Sequence, residues 1–415
     1  MKWKWGMRNK VKRILALVLT AAILAGTVFV NDYSLERRLA VYRELEEFQY
    51  LMENMDYAHD RWLRNLWVQI TASFTDKDTM EGSYQRACIR FIRGNIEGTI
   101  PYLEDAIEWA SDKEKAKLML EMACLSYLTG DNEAAHENAA RAAAQMPDSK
   151  DAQWYRYKYA TAVGDLSSQA EGLGAFAEMD GGKGYLQEAG RLYMVLGDYE
   201  RSGYFYNRTI EEFGGHDELY YLRGSCRMLT GDYESALSDF KRSGYTGSLY
   251  SMGTCELALG RPASAAQYFE ASVERGEHVE DSRLMLAACK LDLNQPAEAE
   301  RLLDTYIANG GSYESAAYYR ASARAMQGKF ESAIEDYDKA LLAGSFPEDT
   351  FFGAAQCRYF AGRYEEAVDL FLECIKLDVH PAESRYYLGM TYIEIGEVEK
   401  AREMLKQSLT LEETN

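Results

Sequence analysis

Proline is scarce in this 415-residue chain, six against 32 glycines. Long helices therefore meet few breakers, and a proline-rich linker or collagen-like stretch is excluded. Cysteine is present but unpatterned. The seven, at 88, 124, 226, 255, 289, 357 and 374, are odd in number and show no CxxC or Cys/His zinc spacing, which fits neither a disulfide framework nor a zinc site. The five histidines (59, 136, 216, 278 and 380) are scattered without HExxH or any i, i+4 metal pair. Basic residues are outnumbered, 46 Lys and Arg to 66 Asp and Glu, for a net charge of −20. Such a surface repels phosphate backbones and anionic headgroups, so no nucleic acid is expected, and the partners implied are proteins, peptides or cations. With 47% hydrophobic and 27% charged residues the chain is able to bury a core, which removes wholesale disorder.

Positive charge is concentrated at one end. All six charged residues of the first thirteen are basic: Lys2, Lys4, Arg8, Lys10, Lys12 and Arg13. Ile14 to Val30 then runs seventeen residues without a charge, which at about 1.5 Å per residue is just long enough to cross a bilayer. A cleaved signal peptide is the alternative. Against it, the apolar run exceeds the usual signal core, and Ala25-Gly26-Thr27 only approximates an A-x-A cleavage site. Residues 1–13 read as a basic cytoplasmic N-terminus and 14–30 as a transmembrane signal-anchor or uncleaved signal. The body is then extracytoplasmic, on a single-pass, N-in protein of the cell membrane.

The rest of the chain repeats itself. The phrases LTGDNEAA at 128, LGDYERS at 196, LTGDYESA at 229, QGKFESA at 327, AGRYEEA at 361 and IGEVEKA at 395 share one turn. Its residue falls at Gly94, Gly130, Gly164, Gly197, Gly231, Gly260, Asn294, Gly328, Gly362 and Gly396, with steps of 36, 34, 33, 34, 29, 34, 34, 34 and 34. Seven residues before the turn the residue is small at every repeat except Tyr157. Five after it stands Ala or Ser, with Thr99 and Gln169 departing. Nine after it the side chain is bulky, as at Tyr206, Phe240, Phe269, Tyr337 and Phe371. Small residues let two helices approach and the large one fills the groove beside them, so each unit is a helix, a tight turn and a second helix.

This pattern resembles the tetratricopeptide repeat, TPR, most closely over 386–405, YYLGMTYIEIGEVEKAREML. The resemblance covers roughly residues 80–412. It implies an all-α, right-handed superhelical solenoid of about ten units over 80–415, preceded by one N-terminal transmembrane helix. The repeat loses five residues near 243–248, and the unit around Gly164 lacks both small columns, so local irregularity is expected there. Between membrane and array, residues 31–79 place Leu35, Leu39, Tyr42, Leu45, Phe48, Met52 and Met55 at helical spacing. They read as a helical cap or degenerate repeat covering the first unit, with a dimerising coiled-coil stalk as the alternative.

Catalytic chemistry is not apparent, and an enzyme is not expected. Gly172 to Ala177 spells GxGxxA, but helical repeat and not a strand precedes it, so helix packing is favoured over a dinucleotide fingerprint. Asp76, Asp78 and Glu81 read as a helix-start acidic cluster. Cys226, Cys255, Cys289 and Cys357 all stand five residues before their turns, where the family carries a small buried side chain. The Arg pairs 86/90, 223/227 and 320/324 are four apart, and salt bridges to second-helix carboxylates such as Asp239, Glu335 or Asp336 are their expected use. No metal and no cofactor are implied.

One stripe suggests binding. Ten residues before each turn stand Tyr84, Trp154, Tyr221, Tyr250, Tyr318, Phe352 and Tyr386, interrupted by Leu120, Gln187 and Leu284. The resemblance implies that this first-helix face lines a concave groove. Residues four and seven further on share it, among them Gln356, Tyr359 and Met390. Tyr221, Tyr250, Tyr318, Phe352, Gln356, Tyr359, Tyr386 and Met390 are the candidate partner-binding residues, with packing between repeats the competing use of the aromatics. Lys158 and Arg191 are the isolated basic residues of the face, which suits apolar or aromatic peptides. The expected function is a membrane-anchored, extracytoplasmic TPR scaffold for protein or peptide partners. A chaperone-like holder of unfolded or translocating chains and a carbohydrate-binding accessory protein are the alternatives.

Overall fold

A computed structural model of the chain describes residues 46–55, 75–76, 78–344 and 347–414. At all ten predicted turn positions φ is positive, from 57° at Asn294 to 88° at Gly130. Left-handed backbone costs an L-residue roughly 1–2 kcal/mol, which is why glycine fills every one of these positions but Asn294. At Gly130 the backbone N–H donates to the Tyr127 carbonyl (3.1 Å) and that of Asp131 to the Ser126 carbonyl (2.9 Å), a Schellman turn that ends one helix. The Asp131 carboxylate then accepts from the Ala134 N–H (3.0 Å) and starts the next. The Gly-Asp phrase encodes a stop and a start together. Where Arg261 and Gln295 replace the aspartate, Pro262 and Pro296 follow as the first helical residue, with no N–H to leave unpaired.

The chain forms two compact units, Met1–Phe213 and Gly214–Asn415. In unit 1, helix α1 (Glu46–Asn54) precedes four helix pairs: α2 (Met80–Ile92) with α3 (Ile100–Trp109), α4 (Asp112–Leu128) with α5 (Asn132–Gln145), α6 (Lys150–Val163) with α7 (Leu166–Asp180), and α8 (Lys183–Val195) with α9 (Tyr199–Phe213). Unit 2 has six pairs: α10 (Asp217–Leu229) with α11 (Tyr233–Arg242), α12 (Ser248–Ala258) with α13 (Pro262–Glu274), α14 (Val279–Asp292) with α15 (Pro296–Ala308), α16 (Tyr313–Met326) with α17 (Phe330–Ala343), α18 (Pro347–Phe360) with α19 (Tyr364–Lys376), and α20 (Pro381–Glu394) with α21 (Val398–Thr414). No strand occurs among the described residues. Within a unit each helix packs on its neighbours in sequence, and first helices also touch across pairs, α4 with α6 in unit 1 and α14, α16, α18 and α20 in turn in unit 2. Within each unit the first helices that touch therefore lie along one face. The predicted membrane segment 14–30, the basic residues before it and most of the expected cap at 31–79 lie outside the described residues. Among those described, no helix is long and apolar enough to cross a membrane.

Packing accounts for the small columns. A Cβ added at Gly190, Gly224 or Gly253 would come within 2.9, 2.9 or 2.6 Å of the ring of Tyr206, Phe240 or Phe269, the bulky residue of the same repeat. Ala87, Ala123, Ala287, Ala321 and Ala355 hold the same place and are fully buried. In the column five after the turn the departures are buried too and bond to backbone: Thr99 to the Asn95 carbonyl (2.9 Å), Gln169 to that of Ala160 (3.4 Å). In the irregular pair α6–α7 the close approach moves to the second helix. There a Cβ on Gly172 would lie 2.8 Å from the Tyr157 nitrogen. The GxGxxA stretch is thus a helix interior whose first glycine admits a neighbouring backbone and whose second, Gly174, faces Tyr193 and Phe205. The five residues lost near 243–248 shorten α11 to ten residues.

Charge is buried in a recurring device. In α10–α11, Arg223 grips Asp239 through Nη2 (2.7 Å) and Nε (2.9 Å), and Arg227 adds a third bond (2.7 Å). Arg320 and Arg324 surround Asp336 in the same way in α16–α17, whereas Glu335 is exposed. The first Arg pair differs, because Tyr102 stands where the aspartate would be: Arg90 lies over its ring and Arg86 donates to the Gly82 and Thr75 carbonyls. Glu300 extends the α16–α17 network. Burial pushes its carboxyl up, but hydrogen bonds from Lys329 (2.6 Å), Arg324 (3.0 Å) and Gln327 (2.8 Å) outweigh that and hold it at about 2, against an ordinary 4.5. Its stabilisation is therefore complete above about pH 4.5 and is lost as pH falls toward 2. Glu300→Gln is expected to flatten the stability–pH curve of the protein across that window. An unchanged slope would show that the network does not couple to folding.

Candidate peptide-binding face

In unit 2 each stripe ring rests one edge on its own repeat. Tyr221 meets Phe240 (centroids 5.6 Å apart), Tyr250 meets Phe269 (5.6 Å), Tyr318 meets Tyr337 (6.4 Å) and Phe352 meets Phe371 (6.3 Å). A second ring from the junction to the next pair closes on three of them: Tyr245 on Tyr221 (4.9 Å), His278 on Tyr250 (5.2 Å) and His380 on Phe352 (4.6 Å). These four stripe residues are half-buried, while Tyr386, whose repeat offers Leu405 instead of a ring, is 45% exposed. Ser225, Thr254 and Ser322, in the middle of the face, donate back to the carbonyls of Tyr221, Tyr250 and Tyr318. Packing thus claims much of each aromatic and leaves an edge toward the face.

The last two pairs concentrate the candidates. Phe352 (6.1 Å), Tyr359 (5.9 Å) and Tyr386 (5.4 Å) all surround the ring of Tyr387, and Gln356 and Met390 lie half-buried on the same helices. Tyr387 was not legible as a site residue, since it stands one position off the stripe. Tyr221, Tyr250 and Tyr318 do not join this cluster; each keeps its own ring partners.

In unit 1 the corresponding face carries Tyr84, Leu120 and Trp154, and helix α1 lies against it. Trp154 Nε1 donates to Glu46 Oε1 (2.7 Å). Lys158 bonds Glu46 Oε2 (3.0 Å) and pairs with Glu47, whose carboxylate is buried. The Tyr50 ring stands edge-on to Tyr155 (5.1 Å), and Leu51 and Met55 are fully buried. The Tyr84 hydroxyl reaches the Asn54 carbonyl (3.3 Å) and Glu121 Oε1 (3.1 Å). Lys158 also lies over the rings of Tyr127 (5.6 Å) and Tyr155 (5.9 Å). Burial alone would lower its ammonium, but hydrogen bonds to Glu47 and Glu46 raise it, so it stays charged. Burial pushes the phenols of Tyr50, Tyr155 and Tyr159 and the Cys124 thiol well up. The lysine that reads as isolated in the sequence takes its counter-ions from α1.

All seven cysteines are buried as thiols. Burial raises the thiols of Cys255 and Cys374 to about 11 and those of Cys289 and Cys357 to about 12, so the thiolate needed for reactivity is scarce at neutral pH. Asp76 and Glu81 flank Thr79, which caps α2 by accepting from the Gly82 N–H (3.2 Å). No group of His, Cys, Asp and Glu able to hold a metal occurs among the described residues.

Comparison with known proteins gives two adjoining family matches. Residues 256–326 match the tetratricopeptide repeat, and residues 326–408 match the anaphase-promoting complex, cyclosome, subunit 3. They support the tetratricopeptide reading over the stretch they cover. No curated protein matches the chain. Among solved structures, YrrB, described as a TPR protein with an unusual peptide-binding site, is 21% identical over 44% of this chain and 97% of its own, with a TM-score of 0.38. A tetratricopeptide repeat protein from Parabacteroides merdae is 17% identical over 58% of this chain and 98% of its own, at 0.36. A structure of Naa15/Naa10 bound to HypK-THB aligns at 14% identity over 90% of this chain and 64% of the matched one, at 0.41.

Proposed function

We propose that this protein is a membrane-anchored scaffold whose first-helix faces hold protein or peptide partners. One observation carries the reading: the first-helix face of unit 1 already holds a segment of protein, α1, through a lysine, an indole N–H and buried apolar contacts. The face of unit 2 offers related chemistry, with Tyr386 open to solvent beside Phe352, Tyr359, Tyr387, Gln356 and Met390. A partner segment there would lay apolar or aromatic side chains between the rings, the mode by which helical grooves read peptides. The uncharged run 14–30, with six basic residues before it, supports an N-in anchor that leaves the body outside the cytoplasm.

The test is site-specific crosslinking in living cells. A photoreactive residue at position 356 or 386 is expected to capture the same protein. One at position 376, on the exposed side of α19, should not. Equal capture from 376, or none from 356 and 386, would remove the reading. Orientation is checked with a C-terminal tag, which external protease should degrade once the envelope is permeable to it.

A further inference from the structure

Helix α1 sits on unit 1 as a ligand sits on a receptor. Among the described residues it belongs to no helix pair. It reaches α2 through Tyr84, packs on α4, and reaches α6 through Trp154, Tyr155 and Lys158, so it crosses three first helices. Residues 56–79 join it to α2. Its seated side is set by Glu47, Leu51 and Met55, four residues apart and each at most 1% exposed. Its other side is open, where Gln49 donates to Glu53 (3.2 Å) in solvent.

The contacts spell a recognition code. Two adjacent carboxylates, Glu46 and Glu47, clamp one ammonium and one indole N–H. An aromatic–leucine pair follows one turn later, and a methionine one turn after that. Burying the Glu47–Lys158 pair costs desolvation that its attraction barely recovers, so its contribution is register. A helix shifted by one residue would leave Lys158 facing a side chain other than Glu47.

We propose that α1 is a displaceable in-chain ligand, and that the face formed by Tyr84, Trp154, Tyr155 and Lys158 receives in its place a partner's amphipathic helix with the same code: adjacent carboxylates, then aromatic–Leu, then Met. This rests on the reading of the first-helix face as a receptor and names its partner chemistry for unit 1. Because α1 belongs to the same chain it competes intramolecularly, so a partner helix wins only when it binds more tightly or when α1 is weakened.

The probe is a fluorescent synthetic peptide of residues 44–57, added to the full chain in detergent. The intact chain is expected to bind it weakly. Leu51→Asp with Met55→Asp, which unseats α1, is expected to tighten binding at least tenfold. Adding Lys158→Glu should abolish that gain, and a peptide carrying Glu46→Lys and Glu47→Lys should restore it. Equal affinity of the intact and unseated chains overturns the proposal, as does binding that ignores Lys158→Glu. So does loss of hydrogen-exchange protection throughout α2–α7 when α1 is unseated, because α1 would then be a wall of the unit. None of these outcomes changes the crosslinks expected from positions 356 and 386, so the two tests are read independently; if α1 proves a wall of the unit, the scaffold reading rests on those crosslinks alone.

Discussion

Replacing Asp336 by Ala is expected to lower the stability of the α16–α17 pair by about 3–5 kcal/mol. Asp336 is 1% exposed. Arg320 holds it through two bonds of 2.9 Å, Arg324 through one of 2.8 Å, and the Tyr313 hydroxyl donates to it as well. Removing the carboxylate leaves two guanidiniums facing each other with the anion between them gone. Asp304 (2.9 Å to Arg320) and Glu300 (3.0 Å to Arg324) remain, but Asp304 is half exposed, and each engages a different guanidinium nitrogen from those that bind Asp336. Exposed Glu335, one position earlier, makes the control: its Ala variant should shift stability by no more than about 0.5 kcal/mol. Global melting is a poor measure for a repeat array, whose units need not unfold together. Hydrogen exchange in α16 and α17 is the direct one, with protection expected to fall by roughly two to four orders of magnitude. Equal exchange in the Asp336→Ala and Glu335→Ala proteins would mean that the network is ornamental to the fold.

The Arg–Asp network and the helix pairs were open to sequence reasoning because both are local and repeated. A turn glycine forced to positive φ leaves the same mark about every 34 residues, and two of the three arginine pairs four apart on one helix have their carboxylate on the next. The seat of α1 was hidden for a different reason. Helical periodicity in 31–55 picks out Leu35, Leu39, Tyr42, Leu45, Phe48, Met52 and Met55 as one line; among the described side chains the structure buries Met55 and adds Glu47 and Leu51, which that line does not include. A glutamate on the inward line is read as a solvent-facing residue unless its lysine is known, and Lys158 lies over a hundred positions away. The stripe was half legible. Its positions follow from the repeat, but whether a ring packs or stays open depends on the residue nine after the turn. Phe371 draws Phe352 inward, and Leu405 leaves Tyr386 exposed.

That dependence sets the second large effect. Phe371→Ala is expected to cost about 3–5 kcal/mol. The ring is fully buried, lies parallel to Tyr387 at 5.9 Å and meets the edge of Phe352 at 6.3 Å. Ala355, Ala367 and Leu388 complete its surroundings and are themselves fully buried. Ala355 and Ala367 have no side chain to swing into the space, so closure falls to Leu388 and the neighbouring rings, and a residual cavity is expected. Because a repeat contacts only its neighbours, the damage should stay near the C-terminal end. Protection is expected to collapse across α18–α21 while α10–α15 keep theirs. The Tyr386→Ala protein, which loses an exposed ring and opens no cavity, should keep its protection throughout. If it nonetheless loses the protein captured from position 356, Tyr386 contributes contact with the partner and not packing. Loss of protection spread evenly over α10–α21 in the Phe371→Ala protein would instead mean that unit 2 folds as one indivisible core, and reading the chain as separable helix pairs would fail with it.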